Sequence, residues 1–303
     1  MSFSYRTKAE LCRIPRENKC CAIAECYGML LYGNTFNASE IRVITGSRTI
    51  GERICEKFKE AFTVDFDIVP GASMSGKQSY IIKDKEKLAI VFKTYGLAQE
   101  RFLAHTVNLS VLENECCRNS FIRGAFLTGG AITNPSRSYH LELVTDRFHV
   151  SKQTYSLLIE MGFAPKETSR SGNYIIYFKK SVDIEDFLTL IGAPIHAMEL
   201  MSAKIEKDVR NTVNRKVNCD TANVSKIVDA AAIQITAINK IKEKGKFEAL
   251  PDKLKQTAEL RLENPEMSIK ELADSLNPPV TKSCLNHRLK KLIDLSVFID
   301  ETL

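Results

Sequence analysis

Residues Cys116–Thr145, CCRNSFIRGAFLTGGAITNPSRSYHLELVT, set how the rest of the chain is read, because residues Cys20–Thr45, CCAIAECYGMLLYGNTFNASEIRVIT, look like a degraded copy of them. The two Cys pairs, Gly28 with Gly124, and Gly33 with Gly129 all fall at one constant offset of 96 residues. Past that register the second copy carries four extra residues before Leu141-Glu142-Leu143-Val144-Thr145 matches Ile41-Arg42-Val43-Ile44-Thr45. A repeat of this length is one structural unit used twice, so the fold question becomes what the unit is and how its copies meet.

In both copies an apolar helix ends at glycine and gives way to alternating residues. Gly33 and Gly129-Gly130 suit a helix C-terminus in the left-handed conformation, which glycine adopts without steric cost. Gly28 and Gly124 fall inside the helices, where glycine is unfavourable by about 1 kcal/mol relative to alanine. A mid-helix glycine at matched positions in two copies points to two backbones crossing closely.

Around these helices the first copy continues with a strand over 39–45, in which Ile41, Val43 and Thr45 face one way and Arg42 the other. A helix follows over 47–62, with Ile50, Ile54, Phe58 and Phe62 on one stripe. Val64, Phe66 and Ile68 alternate in a second strand, 71–77 is a turn, 79–82 is the returning strand and 84–95 is helical. The second copy repeats the order: a strand with Tyr139, Leu141 and Leu143 alternating, a helix over 150–161, strands over 164–168 and 174–178 about a turn at 169–173, and a helix over 182–191. A short helix over 7–14, stopped by Pro15, precedes both. Each half is helix, hairpin, helix, hairpin, helix, and antiparallel strands of this kind need helices on one face only. The other face is free to meet a partner.

From Pro194 the texture changes to long helices. Residues 197–213 form an amphipathic, basic helix. Asn218-Cys219-Asp220-Thr221-Ala222-Asn223 is expected to interrupt it before Val224, Val228, Ala231, Ile235 and Ile238 resume at helical spacing. That seam lasts about two heptads, short of a coiled coil, and reads as a connector ended by Gly245. Beyond it Leu254, Ala258 and Leu262 stripe one helix; Ser268 with Glu271 forms a capping box before Ile269, Leu272, Ala273 and Leu276. Asn277-Pro278-Pro279 enforces a break, and Thr281 or Ser283 can cap a last helix that buries Leu285, Leu289, Leu292 and Ile293. Three short helices with a tight break before the last fit the helix-turn-helix plan, whose final helix enters the major groove. The exposed positions there are Lys282, Ser283, Asn286, His287, Arg288, Lys290 and Lys291, beside Thr281. Four positive charges and no negative one between 281 and 293 suit phosphate contact, with Asn286 and Ser283 placed for base edges.

The central helices also carry a resemblance. IRGAFLTGG (122–130) and CYGMLLYGN (26–34) resemble degenerate forms of the LAGLIDADG helix of homing endonucleases, two of which pack at a pseudo-twofold axis. The longer string RGAFLTGGAITNPSRSYHLE (123–142) resembles the WhiA family of sporulation and cell-division transcription regulators, as does VNRKVNCDTAN (213–223) in the connector. The resemblance implies an α+β chain: a duplicated LAGLIDADG-like αββαββα domain with a pseudo-twofold saddle, then an all-α helix-turn-helix domain. Expected limits are 1–193 for the degenerate homing-endonuclease-like domain (repeats about 17–97 and 113–193), 194–248 for a helical linker and 249–303 for the DNA-binding domain. The saddle would offer Arg42, Lys77, Arg137, Lys166 and Arg170 to duplex DNA.

In homing endonucleases each central helix delivers a carboxylate just before its terminal glycine, and the pair holds the divalent metals that activate water. Here those positions are Gly33 and Gly129, which have no side chain to offer a metal. Glu25 has Phe121 as its counterpart, so no symmetric substitute exists, and Tyr32 replaces the small residue expected at the crossing. The chain is therefore expected to be no enzyme, with no metal and no cofactor. His140 and Glu142 read as a hydrogen-bonded pair, and Cys20, Cys21, Cys116 and Cys117 as small core residues. Gly71 to Gly76-Lys77 spells GxxxxGK, but Gln78 follows where a nucleotide loop needs Ser or Thr, and it joins strands.

Composition agrees with this picture. The chain has 303 residues, 44% hydrophobic and 26% charged, with a net charge of +6 that permits a polyanion partner. Its start shows no signal-peptide core and no apolar run reaches about 18 residues, so no membrane is expected. Nine cysteines without a Cys-x-x-Cys spacing read as reduced thiols. The expected place is the cytoplasm, associated with the nucleoid. The expected partners are double-stranded DNA and, by the resemblance, RNA polymerase or another transcription factor. A second reading makes the repeats a regulatory protein- or ligand-interaction scaffold tethered to DNA by the helix-turn-helix. An active metal-dependent homing endonuclease stands behind both.

Overall fold

Gly28 and Gly124 are where the two repeats touch. A Cβ placed on Gly28 would lie 2.1 Å from the carbonyl oxygen of Phe121, and one on Gly124 would lie 2.0 Å from that of Glu25. Only glycine lets two helix backbones approach this far. The computed structural model describes residues 1–15, 18–71, 76–97 and 105–301. It opens with α1 (Phe3–Leu11), then the first central helix α2 (Lys19–Leu31). Helix α1 starts earlier than expected, because Ser2 caps it by accepting the Tyr5 amide at 3.2 Å, and it ends at Leu11, before Pro15.

The first repeat continues as β1 (Thr35–Phe36), β2 (Ile41–Thr45), α3 (Arg48–Phe62), β3 (Gln78–Ile82) and α4 (Lys85–Thr94), and its sheet runs β1-β2-β3, antiparallel throughout. The strand expected at Val64–Ile68 is reduced to a single bridge between Ile68 and Ile81. The cause is Asp67, whose carboxylate accepts the amides of Lys83 at 2.6 Å and Asp84 at 2.8 Å and so turns the chain where a ladder would continue. The turn expected at Gly71–Lys77 falls largely on 72–75, outside the described residues; β3 begins directly after Lys77.

The second repeat is complete. It comprises α5 (Glu115–Gly129), β4 (Gly130–Ile132), β5 (Leu141–Thr145), α6 (Phe148–Glu160), β6 (Lys166–Arg170), β7 (Asn173–Phe178) and α7 (Ser181–Ile191), with sheet order β4-β5-β7-β6. Ser171 and Gly172, both at positive φ, join β6 to β7 in a tight two-residue turn. Ile41 and Val43 on β2, and Leu141 and Leu143 on β5, are buried as the alternation requires. Among the described residues, helices α2 and α5 are the most extensively packed pair of elements.

One expectation at the central helices is corrected. Gly33, Gly129 and Gly130 do not take the left-handed conformation; Gly130 caps α5 at φ −88. They are glycines for room, since a Cβ on Gly129 would sit 2.5 Å from the Val144 oxygen and 2.8 Å from the Tyr32 ring. The ring of Tyr32, which replaces the small residue expected at the crossing, lies in the space Gly129 leaves.

The chain divides into two compact units, Met1–Asp208 and Val209–Leu303. Helix α8 (Pro194–Glu243) supplies residues to both, with Ala197 and Leu200 in the core of the first and Ile238 and Ile241 in the core of the second. The break expected at Asn218–Asn223 does not occur. Those residues are modest helix formers costing a few tenths of a kcal/mol each, and none is Gly or Pro. The second unit is completed by α9 (Asp252–Glu263), α10 (Ile269–Asp274) and α11 (Lys282–Glu301).

Candidate nucleic-acid interface

The geometry of α11 follows from how its inner face is locked. Leu285, Leu289 and Leu292 are buried against Leu254 and Ala258 of α9, Leu272 and Ala273 of α10, and Ile238 and Ile241 of α8. The turn before it is fixed by the Val280 amide, which donates to Ala273 at 3.1 Å, and the helix is capped by Thr281, whose hydroxyl accepts the Cys284 amide at 3.2 Å. Upstream, the capping box is present in both directions: Glu271 donates its amide to Ser268, and the Ser268 amide donates to the Glu271 carboxylate at 2.8 Å. Arg261 is buried and donates to the Met267 carbonyl at 2.8 Å, tying α9 to the turn that starts α10.

With that face buried, α11 presents Lys282, Ser283, Asn286, His287, Lys290 and Lys291 to solvent, while Arg288 is half-buried. Ser283, Asn286 and Lys290 recur at helical spacing along one stripe, with His287 and Lys291 beside it. Thr281 differs from the others, because its hydroxyl is committed to the cap. No carboxylate lies on this helix before Asp294, so a polyanion approaching its first three turns meets positive charge alone.

On the sheets, register fixes which side chains share a face. Arg42 pairs with Ile81, on the side away from the buried Ile41 and Val43. Lys166 pairs with Tyr177 and Arg170 with Asn173, which puts both on the side of β6 opposite the residues that pair with buried Ile176. Lys166, Arg170, Lys77 and Arg137 are exposed, Arg137 within the turn between β4 and β5. Arg42 is half-buried and held by Glu40 at 2.5 Å, so part of its charge is already answered. His140 lies 3.2 Å from Glu142, the hydrogen-bonded pair expected from sequence. The sheet face is thus basic at its β6 edge and mixed at its centre.

At the C-terminal end of α2 the second repeat supplies a cation. Arg147 donates to the carbonyl of Leu30 at 2.7 Å, and Thr145 to that of Leu31 at 3.3 Å, so the second repeat satisfies the last carbonyls of α2. Burial lowers the pKa of this guanidinium. Glu25, the one acid in the middle of the crossing, is fully buried and accepts two hydrogen bonds from Arg53 at 2.9 Å and one from Arg123 at 3.2 Å. It is a structural ion triad joining α2, α3 and α5. Among the described residues, acids are not gathered with other metal-binding side chains at the helix ends; the only such group is made of cysteines. Sequence reasoning missed Arg147, whose role depends on a contact between the copies that no local motif records.

Comparison with known proteins shows the family of the chain. A family model described as the WhiA C-terminal HTH domain matches residues 213–296, and one described as the WhiA LAGLIDADG-like domain matches residues 118–210. A probable cell division protein WhiA from Clostridium botulinum is 38% identical over 307 residues, covering 96% of each chain. Another, from Ruminiclostridium cellulolyticum, is 35% identical and covers 98% of this chain and 97% of its own. The crystal structure of a full-length WhiA from Thermatoga maritima superposes with a TM-score of 0.59 at 26% identity, covering 98% of both chains. No helix among the described residues is long and apolar enough to cross a membrane.

Proposed function

This chain belongs to the WhiA family, and we propose that it is a transcription regulator that grips duplex DNA without cutting it. The observation that carries the proposal is α11: an inner face locked in its own core, and an outer face of Lys282, Ser283, Asn286, His287, Lys290 and Lys291 free of acids. In the major groove such a helix sets its lysines against phosphates and brings Asn286 and Ser283 to base edges. Its relatives are called probable cell division proteins, which supports a role in cell division; we extend this to control of cell-division or sporulation genes at the nucleoid, with RNA polymerase or another transcription factor as partner.

The first unit keeps the scaffold and has lost the means of cutting. Gly33 and Gly129 hold no carboxylate, and the nearby Arg147 of the second repeat is committed to the Leu30 carbonyl. Lys166 and Arg170 give the β6 edge a role in backbone contact. The mixed charge at the sheet centre, Arg42 with Glu40 and His140 with Glu142, favours a second use of that face for a protein or ligand.

The test is a gel-shift titration at several salt concentrations. Replacing Lys290 and Lys291 by alanine removes two phosphate contacts and should flatten the log–log salt slope by about 1.8. Affinity should fall about equally for operator and random duplexes. An unchanged slope removes the assigned role of α11.

A further inference from the structure

The four cysteines that mark the repeat are brought to one place. Cys20 and Cys21 hold the second and third positions of α2, and Cys116 and Cys117 the same positions of α5. The crossing at Gly28 and Gly124 sets the two helix N-termini side by side, and all four Sγ atoms lie within 4.8 Å of one another. Within the cluster the sulfurs of Cys116 and Cys117 are 4.0 Å apart. The expectation of small core residues covers Cys21 and Cys117, which are buried; Cys20 is half-buried and Cys116 is exposed.

We propose that Cys20, Cys21, Cys116 and Cys117 bind one zinc-class divalent ion as a tetrathiolate site joining the two repeats. Tetrahedral zinc with metal–sulfur bonds of about 2.3 Å separates its sulfurs by about 3.8 Å. Closing a set already within 4.8 Å onto one ion needs shifts of about 1 Å or less. An iron–sulfur cluster spreads its thiolates over several irons and needs a wider opening, so the spacing selects a single ion. Four soft sulfur donors without oxygen or nitrogen select zinc over magnesium or calcium.

The surroundings suit the charge. Four thiolates around a divalent ion carry a net charge of −2, and the cluster sits on the positive ends of two helix dipoles. Neither Asn18 nor Asn114, the residues preceding these helices, uses its side chain to cap them. The exposed Cys116 gives an ion a way in, and buried Cys21 and Cys117 enclose it on the other side. Each repeat supplies two ligands, so the ion ties the copies at the N-terminal end of the crossing, as Arg147 does at the other end. Binding energy of this kind is folding energy.

The test uses the full-length chain purified anaerobically with a thiol-free reductant. Cobalt titration should give the intense visible ligand-field and near-ultraviolet charge-transfer bands of tetrahedral Co–S₄, saturating at about one ion per chain and displaced by zinc. Zinc should raise the melting temperature. Cys116→Ser, an exposed change, should weaken zinc affinity by more than roughly 100-fold and abolish the thermal shift, whereas Cys219→Ser should leave both intact. Circular dichroism confirms that the variants are folded, and the cobalt spectrum of the parent stands independently of them. Less than about 0.1 zinc per folded chain, a six-coordinate cobalt spectrum, binding indifferent to Cys116→Ser, or a Cys20–Cys117 disulfide in the anaerobic protein would each overturn the assignment.

Discussion

Replacing Gly124 by alanine tests the close crossing on which the paired repeats depend. By intrinsic preference the change favours the helix by about 1 kcal/mol. In the folded chain the new Cβ would lie 2.0 Å from the Glu25 carbonyl oxygen and 3.0 Å from the Met29 amide nitrogen. The first contact is backbone, so no rotamer relieves it, and α2 and α5 must part by more than 1 Å to reach ordinary van der Waals distance. Parting two closely packed helices opens voids beside Gly28 and Ala125; roughly 100 Å³ of new space costs about 2.4 kcal/mol at about 24 cal/mol per Å³. The same movement strains the Glu25–Arg123 contact, now 3.2 Å. Set against the propensity gain, the expected result is a net loss of about 1.4 kcal/mol from the first unit, before the strain on the ion pair is added. Hydrogen exchange by mass spectrometry resolves it, because it reads the amides of α2 and α5 separately from those of the second unit. Protection equal to or above that of the parent in those helices would refute the reasoning, since it would mean that the backbones do not approach as described.

Further consequences follow from the same contacts. Glu25→Ala leaves the buried guanidiniums of Arg53 and Arg123 without their shared carboxylate and should cost about 3–5 kcal/mol, read by urea denaturation of the first unit; a loss below about 1 kcal/mol would show the triad to be dispensable. Asn286→Ala should narrow the affinity ratio between a specific operator and random duplex by about 1–3 kcal/mol with little change in salt dependence, measured by competition binding. An unchanged ratio would argue that Asn286 does not read bases.

What the sequence made legible was whatever is written locally. The constant offset between copies located both central helices and their crossing glycines, alternation placed the strands at Ile41–Thr45 and Leu141–Thr145, and the Ser268–Glu271 box marked the start of α10. The spacing of Leu285, Leu289 and Leu292 left the basic face of α11 outward, as found. Features that depend on contacts between distant segments were not legible. The glycines at the helix ends looked like left-handed caps because that is glycine's commonest use, whereas their use here is to admit Tyr32 and the Val144 backbone. Alternation at Val64–Ile68 is real, yet Asp67 diverts the chain through hydrogen bonds to Lys83 and Asp84 that no pattern of two announces. Arg147 and the converging cysteines belong to the same class: each half of the arrangement looks ordinary in its own repeat and acquires meaning only across the pair.

The most direct measurement combines grip and scission in one tube: purified chain, supercoiled plasmid bearing a promoter of a cell-division gene, and Mg²⁺ or Mn²⁺ in turn, with aliquots run as native complexes and as deproteinised DNA. The expected result is a retarded complex whose DNA, once freed, remains fully supercoiled with either metal. Metal-dependent nicks or linear product that track with the protein, or no retarded complex at moderate salt, would contradict the account.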